Sequence, residues 1–490
     1  MNPHELIKEY RVAGHPIKRK WRNHSGPKCY GRRFWFVLLS CLLLFIFHYL
    51  FLVSNNKGFS FSSISDSTTN DPNRKKNQNY CSPFKPSEID SCSGRYIYIH
   101  DLPSKFNENV LKNCELATRA TDRISMCSYV ANLGLGPRIQ NSGGVLSANS
   151  WYSTNQFFLE VIFHNRMKKY ECLTNDSSLA SAIYVPFYAG LDLRRYLWGF
   201  RTSMRDASGV DLVKWLLEKP EWKKMWGRDH FLVSGRISND FRRQSDRNSN
   251  WGSKFRFLPE SKNMSMLTIE SGSWNNDFAI PYPTYFHPST DGEVLQWQDR
   301  MRKQRRPYLF SFAGAARLRQ KGSVRNEIIR QCTASKTTCK LLDCNTVARE
   351  CDDPVNLMKL FQSSVFCLQP PGDSFTRRST FDSILAGCIP VFFHPKSAYS
   401  QYVWHLPKNH SKYSVFVSPR ELRQGKVLIN ETLLQVSKDE ELAMREEVIR
   451  LIPSIIYADP RSRLETSQDA FDLSVKGILE KIEKAKREIS

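Results

Sequence analysis

Two arginines and an aspartate at short spacing are the residues of this 490-residue chain best suited to bind an anion and a sugar. Arg377, Arg378 and Asp382 lie within Ser364 to Phe393, SVFCLQPPGDSFTRRSTFDSILAGCIPVFF. The segment reads as a strand, a tight loop at Pro370, Pro371 and Gly372, a helix and a second strand. Asp373 or Ser374 is the expected helix cap, Phe381, Ile384 and Leu385 make its core face, and Gly387 closes it. Beyond the carboxyl ends of parallel strands, a helix N-terminus offers free N–H groups and a partial positive charge, which suits a phosphate. Cations in the first helical turn oppose the dipole, so Arg377 and Arg378 are locally unfavourable unless an anion is held there. A diphosphate would meet that condition, with Gly372 and Ser374 in the loop as further contacts. Arg378 and Asp382 are four apart and share a face, so the guanidinium can reach the diphosphate while the carboxylate accepts hydrogen bonds from ribose hydroxyls. The same spacing also fits a plain ion pair worth about 0.2–0.5 kcal/mol.

The elements around these residues alternate. RYIYIHDL (Arg95 to Leu102), AIYVPFYAG (Ala182 to Gly190), HFLVSG (His230 to Gly235), PYLFSFAG (Pro307 to Gly314), SVFCLQP (Ser364 to Pro370) and IPVFF (Ile389 to Phe393) have the apolar runs of buried strands bounded by Gly or Pro. Thr154 to Tyr170, Val210 to Trp226, Ser323 to Cys332 and Phe375 to Ala386 carry helical spacing. Such alternation predicts an α/β protein with parallel sheets, here twice over. About 400 residues exceed one ordinary core, which predicts two domains meeting at the cationic segment Arg300 to Arg306. The boundaries expected are 91–300 for the first, 301–460 for the nucleotide-binding second, and 461–490 for a terminal helix that returns across both.

Six blocks carry a resemblance from about Cys92 to Ile456. They are GRYIYIHDLPSKFN, SAIYVPFYAGLDLRRYLWG, GRDHFLVSGRISNDFRR, FAIPYPTYFHP, RPYLFSFAGAARLRQKGSVR and the arginine-bearing segment. Collinear and in matching order, they resemble the exostosin-like glycosyltransferases of family 47, in the plant branch that includes xyloglucan galactosyltransferases. The resemblance implies two Rossmann-like domains facing across a cleft (GT-B type), inverting transfer from a UDP-sugar and no obligatory metal or other cofactor. Asp382 stands where many relatives carry Glu, which keeps the carboxylate.

The sequence contains no Asp-x-Asp, the pattern by which single-domain glycosyltransferases hold a metal on the donor diphosphate. Arg377, Arg378, Arg317 in the Gly314 loop and the helix N-terminus are then the candidates to neutralise the leaving UDP. Arg317 can equally be a solvated loop cation. Inversion needs a general base on the first domain's side of the cleft. His100, Asp101, Asp192 and Asp240 all follow strands; Asp240 is the first candidate and Asp192 the second, with structural capping the alternative for each. Trp151, Tyr152, Tyr188, Trp198 and Trp274 are candidates to offer flat faces to an oligosaccharide, or to fill the core.

FWFVLLSCLLLFIFHYLFLV, Phe34 to Val53, holds no charged residue and is long enough to cross a bilayer. Lys18, Arg19, Lys20, Arg22, Lys28, Arg32 and Arg33 precede it and only Lys57 follows closely, so residues 1–33 are expected in the cytosol and the remainder in a lumen. Residues 54–90 have the composition of a flexible stem. Nine Lys/Arg against two Glu in residues 1–33 carry +7 of the net charge of +23. The other charges form no basic run with interleaved aromatics, which argues against nucleic acid.

Cysteine usage fits an oxidising compartment: eleven of thirteen lie beyond the span, none in a CxxC or a zinc-type pattern. Cys332, Cys339, Cys344 and Cys351 read as a disulfide-stapled insertion with three possible pairings. Asn175, Asn263, Asn409 and Asn430 head glycosylation sequons.

These expectations together describe a type II Golgi membrane enzyme. It would move β-galactose from UDP-galactose to xylosyl side chains of xyloglucan during plant cell-wall synthesis, with complexes with other Golgi glycosyltransferases possible. The alternatives are UDP-galacturonic acid or a UDP-pentose as donor on xyloglucan or another hemicellulose, a glycan hydrolase with two flanking carboxylates, and a non-catalytic glycan-binding scaffold.

Overall fold

The computed structural model describes residues 90–488, apart from residue 141 and residues 318–322. The expected cytosolic tail, the span at 34–53 and the stem up to residue 89 lie outside the described residues. Among the described residues, no helix is long and apolar enough to cross a membrane. The compact unit Ser87–Ser490 holds every described residue.

The protein is α/β, with two parallel five-stranded sheets. The first contains β1 (Tyr96–Ile99), β2 (Ala180–Tyr184), β3 (His230–Ser234), β4 (Ser265–Thr268) and β5 (Asp277–Ala279), laid side by side in chain order. The second contains β6 (Tyr308–Gly314), β7 (Cys339–Asp343), β8 (Ser364–Gln369), β9 (Ile389–Phe392) and β10 (Val415–Phe416) in the order β10-β9-β8-β6-β7. Strands β3, β8 and β9 are buried along their whole length, which is why they read as continuous apolar runs rather than alternating ones. The helices that matter below are α1 (Leu159–Met167), α2 (Ala189–Tyr196), α3 (Thr202–Leu217), α4 (Pro220–Met225), α5 (Asp291–Lys303), α6 (Val324–Ala334), α7 (Pro354–Gln362), α8 (Arg378–Leu385) and α9 (Ala470–Arg487).

Sheet order locates the crevice. In the second sheet β6 comes first in the chain yet lies between β7 and β8, so the winding reverses there. Ligands of open parallel sheets bind outside the carboxyl ends of the strands at such a reversal. The loops that leave β6 and β8 at that point carry Arg317 and Gly372.

One hydrophobic core runs from Ile97, Tyr184 and Phe231 of the first sheet through Phe286 and Trp297 to Phe310 and Phe366 of the second sheet and Phe381 of α8. Each of those buried phenylalanines contributes roughly 1.5–3 kcal/mol. The cationic segment at 300–306 is tied into the same body, because Arg306 donates to the carbonyls of Phe361 (3.0 Å), Ser364 (2.8 Å) and Ala386 (2.6 Å). Helix α9 opens with an Asp469 capping box and returns to the first sheet, where Lys481 Nζ donates to Ser265 Oγ and Glu483 pairs with Arg95. It also touches the second half, since Ala470 O and Ser474 Oγ both meet His405 Nε2.

Several elements differ from expectation. The helix expected over Val210 to Trp226 is two, α3 and α4, because Pro220 lacks the N–H needed to continue the first and starts the second. Helix α1 starts at Leu159 after a 3-10 turn, the Thr154 hydroxyl being engaged by Leu135 O and His287. Strands β4, β5 and β10 were too short to read from pattern, and β7 was obscured by its cysteines and lysine. The four clustered cysteines pair as Cys332–Cys339 and Cys344–Cys351, and they bracket β7 rather than an insertion. Cys92–Cys172, Cys114–Cys127 and Cys367–Cys388 are also joined, so Cys81 of the eleven lies outside the described residues.

Candidate functional site

Three guanidiniums stand at the carboxyl ends of β6 and β8. After β6 the chain is pinned by Asn326, whose Oδ1 accepts from Arg317 N at 2.7 Å and whose Nδ2 donates to Arg317 O at 3.1 Å. Arg325, in the first turn of α6, donates from Nε to Pro371 O at 3.0 Å and so joins the two loops. After β8, Gly372 N donates to Ser374 O at 3.0 Å in a tight turn, and the Arg377 guanidinium lies directly over Gly372. A Cβ on Gly372 would fall 1.6 Å from Arg377 Nη2, so glycine is required for this placement.

Charge is poorly balanced here. Asp373 meets Arg317 at 2.5 Å on the outer rim. Burial, then the neighbouring Arg377 and Arg317, hold Arg325 down to about 10. Burial and Arg317 also lower Arg377. Three cations set against the exposed Asp373 and the buried Glu270 leave the site one negative charge short.

Hydrogen bonding repeats the pattern. Among the described residues, thirteen buried side-chain polar atoms lack a partner, and seven belong to Gln369, Arg377, Arg378 and Asp382. Buried polar groups are nearly always satisfied, and the three orphans at the reversal, Gln369 Nε2 and Arg377 Nε and Nη2, are all donors suited to an anion.

Arg378 and Asp382 lie deeper, where the two halves meet. The Arg378 guanidinium covers the Tyr285 ring at 3.6 Å and donates from Nη1 to Thr154 O. Its Nε stands 3.7 Å from Asp382 Oδ2, an ion pair without a hydrogen bond. Burial pushes Asp382 up to about 7 against the opposing pull of Arg378. With 1% exposure, the carboxylate would meet a ribose only if the halves part. Helix α8 begins at Arg378 with Arg377 as its cap residue, later than Asp373 or Ser374. The physical reason is Glu270, which takes both Thr376 N and Thr376 Oγ1 at 2.7 Å and holds that residue outside the helix.

The two candidate bases are engaged. Asp240 accepts from Arg236 Nη1 on one oxygen and from Trp251 Nε1 on the other, both at 2.8 Å. Asp192 on α2 is buried against Arg195 and accepts from Ser208 Oγ at 3.0 Å. His100 is buried with its Nε2 3.2 Å from His230 Nε2, whereas Asp101 is exposed. Glu270, just beyond β4, is the first-sheet carboxylate that touches the arginine loop, and sequence reasoning passed over it because nothing in TIESGSW marks its strand. Arg325 was passed over as well; its position inside the AGAARLRQKGSVR block was the available signal. Among the described residues, no cluster of three or more His, Cys, Asp or Glu is placed to hold a metal ion.

Of the expected flat faces, Trp151, Tyr152 and Tyr188 are core, while Trp274 is exposed and Trp198 half-buried. At the sequons, Asn175 and Asn409 are exposed, Asn263 Nδ2 donates to Trp226 O, and Asn430 Oδ1 accepts from Thr338 Oγ1.

The Exostosin GT47 domain model matches residues 91–432. The chain is 56% identical, over 91% of its length and 86% of the relative's, to the Arabidopsis thaliana protein called Probable xyloglucan galactosyltransferase GT14. It is 57% identical to Xyloglucan galactosyltransferase MUR3 of Arabidopsis thaliana, covering 82% of this chain and 64% of that protein. Identity falls to 41% with Xyloglucan-specific galacturonosyltransferase 1 of the same plant, over 80% of this chain and 58% of the relative.

Proposed function

The chain belongs to the Exostosin GT47 domain family, and from that premise we propose that it is a xyloglucan galactosyltransferase using UDP-galactose. The acceptor is the xylosyl side chain of xyloglucan. The observation that carries the site is the group of unpaired polar atoms at Gln369, Arg377, Arg378 and Asp382, beside a crevice with excess positive charge. A UDP diphosphate supplies acceptors for Gln369 and Arg377 and the missing charge, and the ribose hydroxyls supply the donors that Asp382 needs. Five relatives at 49–58% identity carry the xyloglucan galactosyltransferase name, whereas near 40% galactosyltransferases and a galacturonosyltransferase occur together, so it is the higher-identity group that favours galactose.

The two sheets correspond to the halves of a GT-B enzyme, the second binding donor and the first receiving acceptor. An acceptor hydroxyl oxygen attacks the anomeric carbon of galactose while the bond from that carbon to the UDP oxygen breaks, which gives the inverted β-linkage. The hydroxyl proton passes to a carboxylate on the first-sheet side. Negative charge grows on the β-phosphate as UDP leaves, and Arg317, Arg325 and Arg377 stand preorganised to meet it. No metal is needed in this scheme. The span at 34–53 would anchor the enzyme in the Golgi membrane with the catalytic unit lumenal.

The test is transfer by the lumenal fragment, residues 54–490, from a panel of UDP-sugars to xyloglucan oligosaccharides, with products read by mass. A gain of one hexose from UDP-galactose is expected. Transfer only from UDP-galacturonic acid or a UDP-pentose would change the donor, and no transfer by folded fragment would favour a scaffold.

A further inference from the structure

Two of the three exposed tryptophans in the first half of the molecule stand at the carboxyl end of its sheet. Trp274 is 52% exposed and Trp251 39%. Both rings are held. Arg242 covers one face of Trp274 at 5.1 Å, and the Trp251 indole N–H donates to Asp240 Oδ1 at 2.8 Å. Trp198 packs edge-on against Trp251, with ring centroids 5.4 Å apart. The 3-10 turn Ser238–Phe241 joins the two sites: Asp240 holds Trp251, and Ser238 touches the Arg242 that covers Trp274. This turn leaves β3 at its carboxyl end, the end from which Glu270 reaches Thr376 beside the donor arginines. Trp274 follows Glu270 by four residues, so it stands at most ~14 Å along the chain from that contact.

Each guanidinium around these rings has a carboxylate partner, with Asp277 shared between Arg242 and Arg256 and Asp122 between Arg119 and Arg194. Arg242 pairs with Asp277 at 2.7 Å, Asp240 with Arg236 at 2.8 Å, and Arg119 and Arg194, which cover Trp198, both pair with Asp122. The donor crevice has the opposite character, with guanidinium nitrogens left unpaired. A surface of rigid aromatic faces whose guanidiniums are all engaged by carboxylates suits an uncharged ligand with a flat apolar face. Sugar rings of a neutral glycan have that face in their axial C–H groups. Large exposed aromatics held in fixed orientation are characteristic of binding surfaces, because their ordering entropy is lost before the ligand arrives.

We propose that Trp251 and Trp274 form the platform on which the neutral oligosaccharide acceptor stacks, with Trp198 backing Trp251. This deepens the galactosyltransferase reading and rests on it for the identity of the glycan. The platform lies on the first-sheet side of the Glu270–Thr376 contact, at the carboxyl end of that sheet.

The experiment uses the lumenal fragment with Trp251→Ala, Trp274→Ala and, as a control, Trp226→Ala. Trp226 is 62% exposed but precedes β3, at the opposite end of the sheet. Xyloglucan oligosaccharide binding is measured by calorimetry with UDP present, and acceptor and donor KM by transfer. Trp251→Ala and Trp274→Ala should each weaken oligosaccharide binding and raise acceptor KM about tenfold, roughly 1.4 kcal/mol, while UDP affinity and donor KM stay within about twofold; Trp226→Ala should change neither. Unchanged oligosaccharide binding in both variants, or none in wild type, would overturn the platform. Binding that depends on the two tryptophans without any galactose transfer would leave the platform standing and overturn the galactosyltransferase reading instead. If an alanine variant fails to fold, Trp274→Phe, which keeps a smaller flat face, should show an intermediate loss; full wild-type binding by that variant together with Trp251→Phe would again count against stacking.

Discussion

Removing Arg377 should separate the proposed donor site from the scaffold, because the structure gives its guanidinium a cost without a partner. Its Nε and Nη2 are buried and unpaired, and burial and Arg317 both disfavour its charge. An unsatisfied buried polar group costs about 1–3 kcal/mol, more when charged. Arg377→Ala relieves that cost, so the unliganded variant should melt no lower than wild type. The liganded state should behave oppositely. A hydrogen bond to a charged group contributes about 1.5–3 kcal/mol, so UDP should bind roughly 10- to 150-fold more weakly. Thermal shift makes the contrast visible. At a UDP concentration 100 times the wild-type Kd, UDP stabilises wild type by about 2.7 kcal/mol, and a variant weakened 100-fold by only about 0.4 kcal/mol. Donor kcat/KM should fall by at least the binding factor, since the contact strengthens as charge develops on the leaving group. A variant that melts several degrees lower without UDP yet binds UDP as wild type does would show that Arg377 serves the fold, and the reasoning from unpaired atoms would fail.

Gly372→Ala would place its Cβ 1.6 Å from Arg377 Nη2, where the flexible guanidinium rather than the backbone must move; donor KM should rise with Tm within about 2 °C of wild type, as kinetics and melting can check. Arg378→Ala is expected to differ from Arg377→Ala, since it strips the cation from beside buried Asp382 and removes the bridge to Thr154. Breaking such a pair costs about 3–5 kcal/mol when the carboxylate stays charged, so Tm should fall, and fall further at pH 8 than at pH 6 because burial pushes Asp382 up to about 7; equal losses at both pH values would contradict this. Melting temperature should itself peak between about pH 6 and 7. Asp382 and Glu160 are pushed up to about 7 and about 8 by burial, hold protons in the folded state that the unfolded chain releases, and so lose stability as pH rises. His100 and His164, held down to about 3 by burial, and His287 and His405, held down to about 4, resist protons the unfolded chain takes up near 6.5, so stability falls as pH drops below that value. A Tm rising steadily to pH 8.5 would refute the assignment.

The parts of this protein legible in its sequence are those decided by neighbouring residues. The β8, loop, α8, β9 segment could be read because Pro370, Pro371, Gly372 and Gly387 punctuate it and its apolar spacing changes period between them. The six collinear blocks identified the family for the same reason, and Arg377 and Gly372 fell in the crevice because both belong to one loop. Contacts across the chain were not legible. Whether Arg378 and Asp382 face solvent or a buried junction depends on Thr154 and Tyr285, far away in sequence. Arg325 joins the site only because β6 lies beside β8, a pairing set by sheet order that no local pattern encodes. Glu270 delays α8 from more than a hundred residues away, so the cap expected at Asp373 or Ser374 moves to Arg377. Asp240 and Asp192 show the limit most plainly. Each is a carboxylate after a strand by sequence, and the structure occupies both with arginine partners. Sequence determined which side chains were present and which local elements held them. Tertiary packing decided which charges were left unpaired, because neutralisation depends on distances between residues that the chain brings together only on folding.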